Sequence, residues 1–175
     1  MSGKVSWAVV TSLLIFPLCA WGQTSMPPCG EFKKAYQPQS SPEQTYRLEL
    51  DMMKQGVYCY DLPIFDPEWQ ANAPKNAFNE NFKRTAQFFD VPYKVYQEGK
   101  YAVLYYPGQK TLGPVFLYRE NGNWILDRSS VARYIHYGQE WMAYGGDYPY
   151  LELLKKIFPL EEGTTASGQK AYRKK

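Results

Sequence analysis

The sequence predicts an α+β domain in which helices pack on one face of an antiparallel four-stranded meander. Three observations lead to this class. Apolar residues recur at helical spacing in the first half of the chain, they alternate with a period of two between residues 93 and 127, and helical spacing then returns. Strands that follow one another, with two helices before and two after them, are typical of α+β folds.

The first helix is predicted from a capping box. Ser41 is the N-cap, Pro42 occupies the first helical position and Gln44 the third. Gly56 is placed to end the helix, because glycine readily adopts the left-handed conformation of a helix terminus. The apolar face consists of Tyr46, Leu50, Met53 and Val57.

A proline-rich ordered loop over residues 60–74 follows, with a short helical turn at 66–69. The second helix is predicted to end before Pro92, since the residue before proline disfavours helical geometry. Its apolar stripe consists of Phe78, Phe82, Ala86 and Phe89. Three phenylalanines on one stripe indicate a helix that packs against the core.

The meander is predicted as four strands. They cover residues 93–97, 100–106, 114–120 and 123–127. Asn121 and Gly122 join the last two strands, and Asn-Gly is a strong hairpin signal because both residues of a type I′ turn need positive φ. With this two-residue loop, Arg119 faces Trp124 across the hairpin.

Two further helices are predicted after the meander. The first begins at Ser129 or Ser130 and runs to about Tyr144, and the second begins at residues 147–149 and ends at Pro159. The only histidine, His136, falls on the polar side of the first of these helices, with Glu140 one turn away as an ion-pair partner. A solvent-facing histidine without an orienting group is not expected to be catalytic.

The N-terminus has the pattern of a secretory signal peptide over residues 1–22. Lys4 precedes an apolar run of about fourteen residues, shorter than the roughly twenty that span a bilayer, and small residues Ala20 and Gly22 precede Gln23. We therefore expect a mature domain over residues 23–160, a flexible basic tail over 161–175, and no stable membrane span after processing. The expected location is the periplasm or the extracellular space.

The cysteines agree with export. Cys19 leaves with the signal peptide, which leaves Cys29 and Cys59 to form one disulfide in an oxidising compartment. A catalytic or metal-binding thiol pair is the alternative, but the two cysteines are far apart and one histidine does not complete a metal site. A second alternative is a lipoprotein with Cys19 acylated, although Leu18 stands where such sequences carry a small residue.

Charge excludes a nucleic-acid-binding surface. The chain has 20 basic and 17 acidic residues, and four of the basic ones stand in the last six positions. The body of the protein is therefore slightly acidic. The basic tail is interpreted as a solvated end, with contact to an anionic envelope polymer as the alternative.

Aromatic residues make up 17% of the chain, with 16 tyrosines, and a binding surface rich in tyrosine is one explanation of this number. Tyrosine also favours strands, and because many of these residues lie in the predicted meander, sheet structure is the favoured explanation. Asp127, at the end of a strand, is either a carboxylate of raised pKa at the mouth of a cavity or a cap of the next helix. The candidate binding residues are Trp69, Tyr105, Tyr106, Tyr118 and Asp127.

Residues 42–128 resemble in outline the nuclear-transport-factor-like cone, in which a curved sheet and N-terminal helices enclose an apolar pocket. Gly122, Asn123 and Trp124 form a hairpin similar to one that such domains often carry. The two predicted helices after the meander depart from that family. The resemblance implies a fold and a pocket, and it implies no activity.

The sequence carries no catalytic, phosphate-binding, calcium-binding or zinc-protease motif, so no cofactor and no metal site are predicted. The leading interpretation is an exported, non-enzymatic binding or accessory protein of the cell envelope, whose partner is an envelope protein, a glycan or a small apolar ligand. Exposed rings of Trp69, Tyr105 and Tyr106 are expected to make the contact. The alternatives are a hydrolase of envelope polymer that uses Asp127 with a second carboxylate, and a periplasmic inhibitor or immunity protein.

Overall fold

The computed structural model describes residues 29–72, 76–109, 111–136, 142–145 and 148–175. In these ranges the chain has an α+β fold, so the predicted class is confirmed. The helices are α1 (Cys29–Ala35), α2 (Pro42–Lys54), α3 (Pro67–Asn72), α4 (Asn81–Phe89), α5 (Arg128–Tyr134) and α6 (Leu151–Ile157). The strands are β1 (Val57–Tyr58), β2 (Ala77–Phe78), β3 (Lys94–Glu98), β4 (Tyr101–Tyr105), β5 (Val115–Glu120), β6 (Asn123–Leu126), β7 (Ile135–His136), β8 (Met142–Tyr144), β9 (Leu160–Thr164) and β10 (Lys170–Lys174).

The predicted meander is confirmed as the antiparallel sheet β3-β4-β5-β6. Arg119 pairs with Trp124, as the two-residue loop requires. Asn121 and Gly122 have φ values of 50° and 86°, the positive angles that a type I′ turn needs. The local turn chemistry thus sets the register that directs Trp124 into the core, where it is 1% exposed.

Helix α2 has the N-cap that the sequence predicts. The Ser41 side chain accepts a hydrogen bond from the Gln44 backbone N–H at 3.2 Å, and Gly56 has a φ of +74° just after the helix. Helix α4, in contrast, begins at Asn81 and not at Phe78. Phe78 instead pairs with Val57 in the short β1-β2 ribbon, because the chain is extended before it turns into α4.

Helices cover both faces of the meander, whereas packing on one face was predicted. Ala102 and Leu104 of β4 belong to a core cluster with α1, α2 and α4, and Val103 between them belongs to a second cluster with α6. All three residues are 0% exposed. A strand that is apolar on both faces needs cover on both sides, and α6 supplies the second cover.

The helix predicted to run to Tyr144 is wrong beyond Tyr134. Ile135 has extended backbone angles, with φ −111° and ψ 124°, and begins β7, which pairs with β8. His136 is exposed, as expected, but in a strand. Its expected partner Glu140 lies outside the described residues.

The predicted flexible tail over residues 161–175 is also wrong. Strands β9 and β10 form a hairpin, and the second sheet has the order β7-β8-β10-β9. Tyr172 is 6% exposed and belongs to the second core cluster, which also contains residues of α6, so one face of the hairpin is buried despite its charged composition. Gly168, at φ +81°, lies in its turn.

The predicted disulfide is confirmed between Cys29 and Cys59, with the Cα atoms 5.7 Å apart. It joins the start of α1 to the residue that follows β1. The predicted signal peptide over residues 1–22, with Cys19, lies outside the described residues. Among the helices that are described, none is long and apolar enough to cross a bilayer.

Candidate functional site

A cavity of about 580 Å³ lies between α2, α4 and the sheet. We call it the aromatic cavity, because six aromatic residues line it: Tyr46, Tyr58, Tyr60, Trp69, Phe82 and Phe89. Aliphatic side chains from α2, β5 and α5 complete the wall, namely Leu50, Met53, Val115 and Val131. The volume falls within the range of small-molecule sites. The cavity lies between N-terminal helices and the sheet, where the resemblance to the cone fold implies a pocket.

The aromatic wall is held by ring contacts. Tyr58 packs against Phe82 with ring centroids 5.5 Å apart, and Tyr60 packs against Trp69 at 6.0 Å. Such pairs add roughly 0.5–1.5 kcal/mol beyond the area that they bury. The wall is therefore preformed by packing within the protein.

A buried ion pair forms the polar part of the cavity. The Arg128 Nε–H donates to Glu49 Oε1 at 3.1 Å, and Nη2 contacts Glu49 Oε2. The Tyr58 hydroxyl also donates to Glu49 Oε1. The Glu49 side chain is 2% exposed, whereas that of Arg128 is 20% exposed. The carboxylate is thus covered by its donors, and the guanidinium is the more accessible half of the pair.

Two tyrosine hydroxyls lie close to this pair. The hydroxyls of Tyr46 and Tyr106 form a hydrogen bond with each other. Burial raises the pKa of both phenols above their usual value, and it raises the pKa of Tyr58 well above it. All three remain neutral hydrogen-bonding groups at physiological pH.

Asp66 positions two of the residues that line the cavity. Its Oδ1 accepts the backbone N–H of Trp69 at 2.8 Å, and its Oδ2 accepts the backbone N–H of Arg128 at 2.8 Å. Ser129 donates both its N–H and its hydroxyl to the same carboxylate. One buried carboxylate therefore fixes α3 to α5 and joins the backbones of two residues that line the cavity, Trp69 and Arg128.

The indole Nε1 of Trp69 is buried and has no hydrogen-bond partner within the described ranges. A buried donor without a partner costs roughly 1–3 kcal/mol. Native structures contain few such groups, and each calls for an explanation, of which a bound ligand is one. This nitrogen is therefore a candidate ligand contact.

The candidate residues from the sequence do not form one surface. Trp69 lines the aromatic cavity, and Tyr106 is 2% exposed, so the expectation that it is exposed is wrong. Tyr105 is half-buried against Phe158 on the opposite face of the sheet. Tyr118 is half-buried, and burial raises its pKa to about 12. The pleat separates Tyr105 from Tyr106, since adjacent residues of a strand point to opposite faces.

Sequence reasoning did not single out Glu49 and Arg128. They lie 79 positions apart, and each reads as an ordinary charged residue near a helix. The sequence signal that could have identified Glu49 is its position beside Leu50, next to the apolar stripe of α2, where a charged residue is buried. No pattern within one segment points to its partner.

Asp127 is a helix cap. Its Oδ1 accepts the Ser130 N–H at 2.9 Å, and its Oδ2 accepts the Tyr150 hydroxyl at 2.9 Å. Burial raises the pKa of this carboxyl, against the opposing effect of the hydrogen bonds from Ser130 and Tyr150. It is not among the residues that line the aromatic cavity.

Asp127→Asn is expected to lower the free energy of unfolding by about 1 kcal/mol at pH 7, because asparagine keeps the cap but cannot accept from Tyr150 in the same way. The difference should grow as the pH falls. A carboxyl whose folded pKa is raised binds its proton more tightly in the folded state, so the wild type gains stability as the pH falls through the folded pKa towards 3.8, while the variant does not. Urea unfolding at pH 4 to 7 measures both effects, and a difference that shrinks at low pH would contradict them.

Comparison with family models, with curated proteins and with solved structures finds no match for this chain. In the described ranges, no group of three or more histidine, cysteine, aspartate or glutamate side chains is arranged to hold a metal ion.

Proposed function

We propose that this chain is an exported, non-enzymatic binding protein that holds a small, largely apolar ligand in the aromatic cavity. The single observation that carries the proposal is the cavity of about 580 Å³, with six aromatic side chains and few polar ones in its wall. Sites of this kind bury most of a small ligand and use few polar groups to orient it.

The hydrogen bonds that the Glu49 and Asp127 carboxylates accept favour binding over catalysis. The Glu49 carboxylate accepts from Tyr58 and from two nitrogens of Arg128. Both oxygens of Asp127, the acid on which the hydrolase alternative depends, also accept hydrogen bonds. A general acid or base needs a proton-transfer position directed at the substrate, and these carboxylates are occupied in structural roles.

Export is part of the proposal. The leader pattern over residues 1–22 supports it, and the Cys29–Cys59 disulfide is the form that two cysteines adopt in an oxidising compartment. The protein would then meet its ligand in the periplasm or outside the cell.

Titration with N-phenyl-1-naphthylamine tests the proposal, since this neutral dye becomes fluorescent in apolar sites. The mature chain is expected to bind one dye molecule in the micromolar range. Val131→Trp, which adds bulk at the cavity wall, should weaken binding by at least about tenfold. Ala132→Trp is the matched control, because Ala132 is exposed one position further along α5.

The control variant should bind as the wild type does. Absence of dye binding to the wild type would refute the proposal. Equal binding by the wild type and by Val131→Trp would place any bound dye elsewhere on the protein.

A further inference from the structure

We infer that the ligand of the aromatic cavity is an amphipathic carboxylate, whose head group binds Arg128 and Trp69 and whose apolar body lies against the aromatic wall. This inference rests on the proposed function and specifies the chemical class of the ligand. It is carried by the charge that the ion pair presents to the cavity and by an unsatisfied donor on another residue that lines it, Trp69.

The Glu49–Arg128 pair presents its positive end to the cavity. The Arg128 side chain is 20% exposed and the Glu49 side chain 2%, and both residues contribute to the cavity wall. Arginine keeps its charge at all physiological pH values. Hydrogen bonds from an arginine to a carboxylate are charge-assisted and among the stronger ones in proteins.

Trp69 supplies the second observation. Its Nε1–H can only donate, so the group that would satisfy it is an acceptor. Asp66 binds the backbone N–H groups of both Trp69 and Arg128, and both residues line the cavity. A carboxylate has two acceptor oxygens, one for each of these two donors.

The rest of the wall selects an apolar body. Leu50 and Met53 from α2, with Phe82 and Phe89 from α4, offer carbon surface to a ligand. Burying apolar area contributes about 25 cal/mol per Å², so a chain or ring system attached to the head group would supply much of the affinity. A small polar anion lacks this contribution, and a neutral lipid lacks the contact with Arg128.

The test is displacement of N-phenyl-1-naphthylamine by dodecanoate and by dodecanol at pH 8, both below micelle-forming concentrations. These probes share one alkyl chain and differ in the head group. The mature wild-type protein is expected to bind dodecanoate roughly tenfold or more tightly than dodecanol, because a hydrogen bond to a charged group is stronger than one between neutral groups.

Two variants locate the head group. Trp69→Phe keeps an aromatic ring and removes Nε1–H, so the affinity for dodecanoate should fall roughly three- to tenfold further than the affinity for dodecanol. Tyr60→Phe is the control, since it alters the neighbouring ring without removing that donor. The double variant Glu49→Gln, Arg128→Gln removes both charges of the pair and should abolish the preference for dodecanoate.

The outcomes separate the two proposals. If the dye does not bind the wild type, the proposed function fails. If the dye binds but dodecanoate and dodecanol displace it equally, the cavity binds ligands and the carboxylate inference is overturned. If Trp69→Phe and Tyr60→Phe weaken dodecanoate equally, the inferred contact with Nε1 is wrong. Should the double variant not fold, the wild-type preference and the Trp69 variant still decide.

Discussion

Arg128→Ala is expected to lower the free energy of unfolding by about 3 kcal/mol, one of the two largest effects of a change outside the apolar core. Removing arginine leaves the Glu49 carboxylate, which is 2% exposed, without its counter-charge. Loss of one partner from a buried pair typically costs 3–5 kcal/mol. We take the lower end of this range, since Arg128 is 20% exposed. Urea unfolding followed by circular dichroism measures the change.

A control is available on the same helix. Arg133 pairs with Glu68 at the surface, where the two side chains are 54% and 53% exposed. Pairs of this kind contribute between zero and about 1 kcal/mol, so Arg133→Ala should have a small effect. The double variant Glu49→Gln, Arg128→Gln should recover most of the loss, because no unpaired charge remains. Equal effects of the two alanine substitutions would contradict the assigned role of the buried pair.

Loss of the Cys29–Cys59 disulfide is the other large effect. The bond closes a loop with a sequence separation of 30, so the chain-entropy model gives it a contribution of roughly 3.5 kcal/mol. The double variant Cys29→Ala, Cys59→Ala should therefore unfold at a clearly lower urea concentration. Reduction of the wild type with dithiothreitol also breaks the bond but keeps both sulfur atoms. It should lower the urea midpoint of unfolding by a similar amount. An unchanged midpoint after complete reduction would show that the bond does not stabilise the fold.

Local patterns predicted the first part of the fold well. The capping residues of α2, the alternation of the meander and the Asn121–Gly122 turn each act within a few residues. These signals are strong because steric limits on φ and the period of side-chain direction operate locally. Register followed from the turn without any long-range information.

The second sheet could not be predicted in the same way. Residues 131–142 carry apolar side chains at helical spacing, but the chain is extended at Ile135, where β7 pairs with β8, and β8 in turn pairs with β10. That pairing joins segments nearly thirty residues apart. Strand β10 is mostly charged, with Ala171 and Tyr172 as its buried residues, so its sequence resembles a solvated tail. Long-range pairing here overrides local preference.

The candidate site was only partly visible in the sequence. Trp69 was identified from the aromatic surplus and does line the cavity. Tyr105 and Tyr106 were grouped because they are adjacent in the chain. Adjacent side chains of an extended segment point to opposite faces of the sheet, so these two do not share a surface. The pairing of Glu49 with Arg128 depends on the packing of α2 against the end of the meander, a contact that no single segment encodes.

Methionine methyl NMR of the mature protein tests the central claim most directly. Met53 lines the aromatic cavity, whereas Met52 is 0% exposed and Met142 lies in the second sheet. Titration of protein labelled with ¹³C at its methionine methyl groups, using N-phenyl-1-naphthylamine, should shift the Met53 signal saturably and leave the Met142 signal in place. A saturable shift at Met142 with none at Met53, or no shift at either residue, would contradict ligand binding in the aromatic cavity.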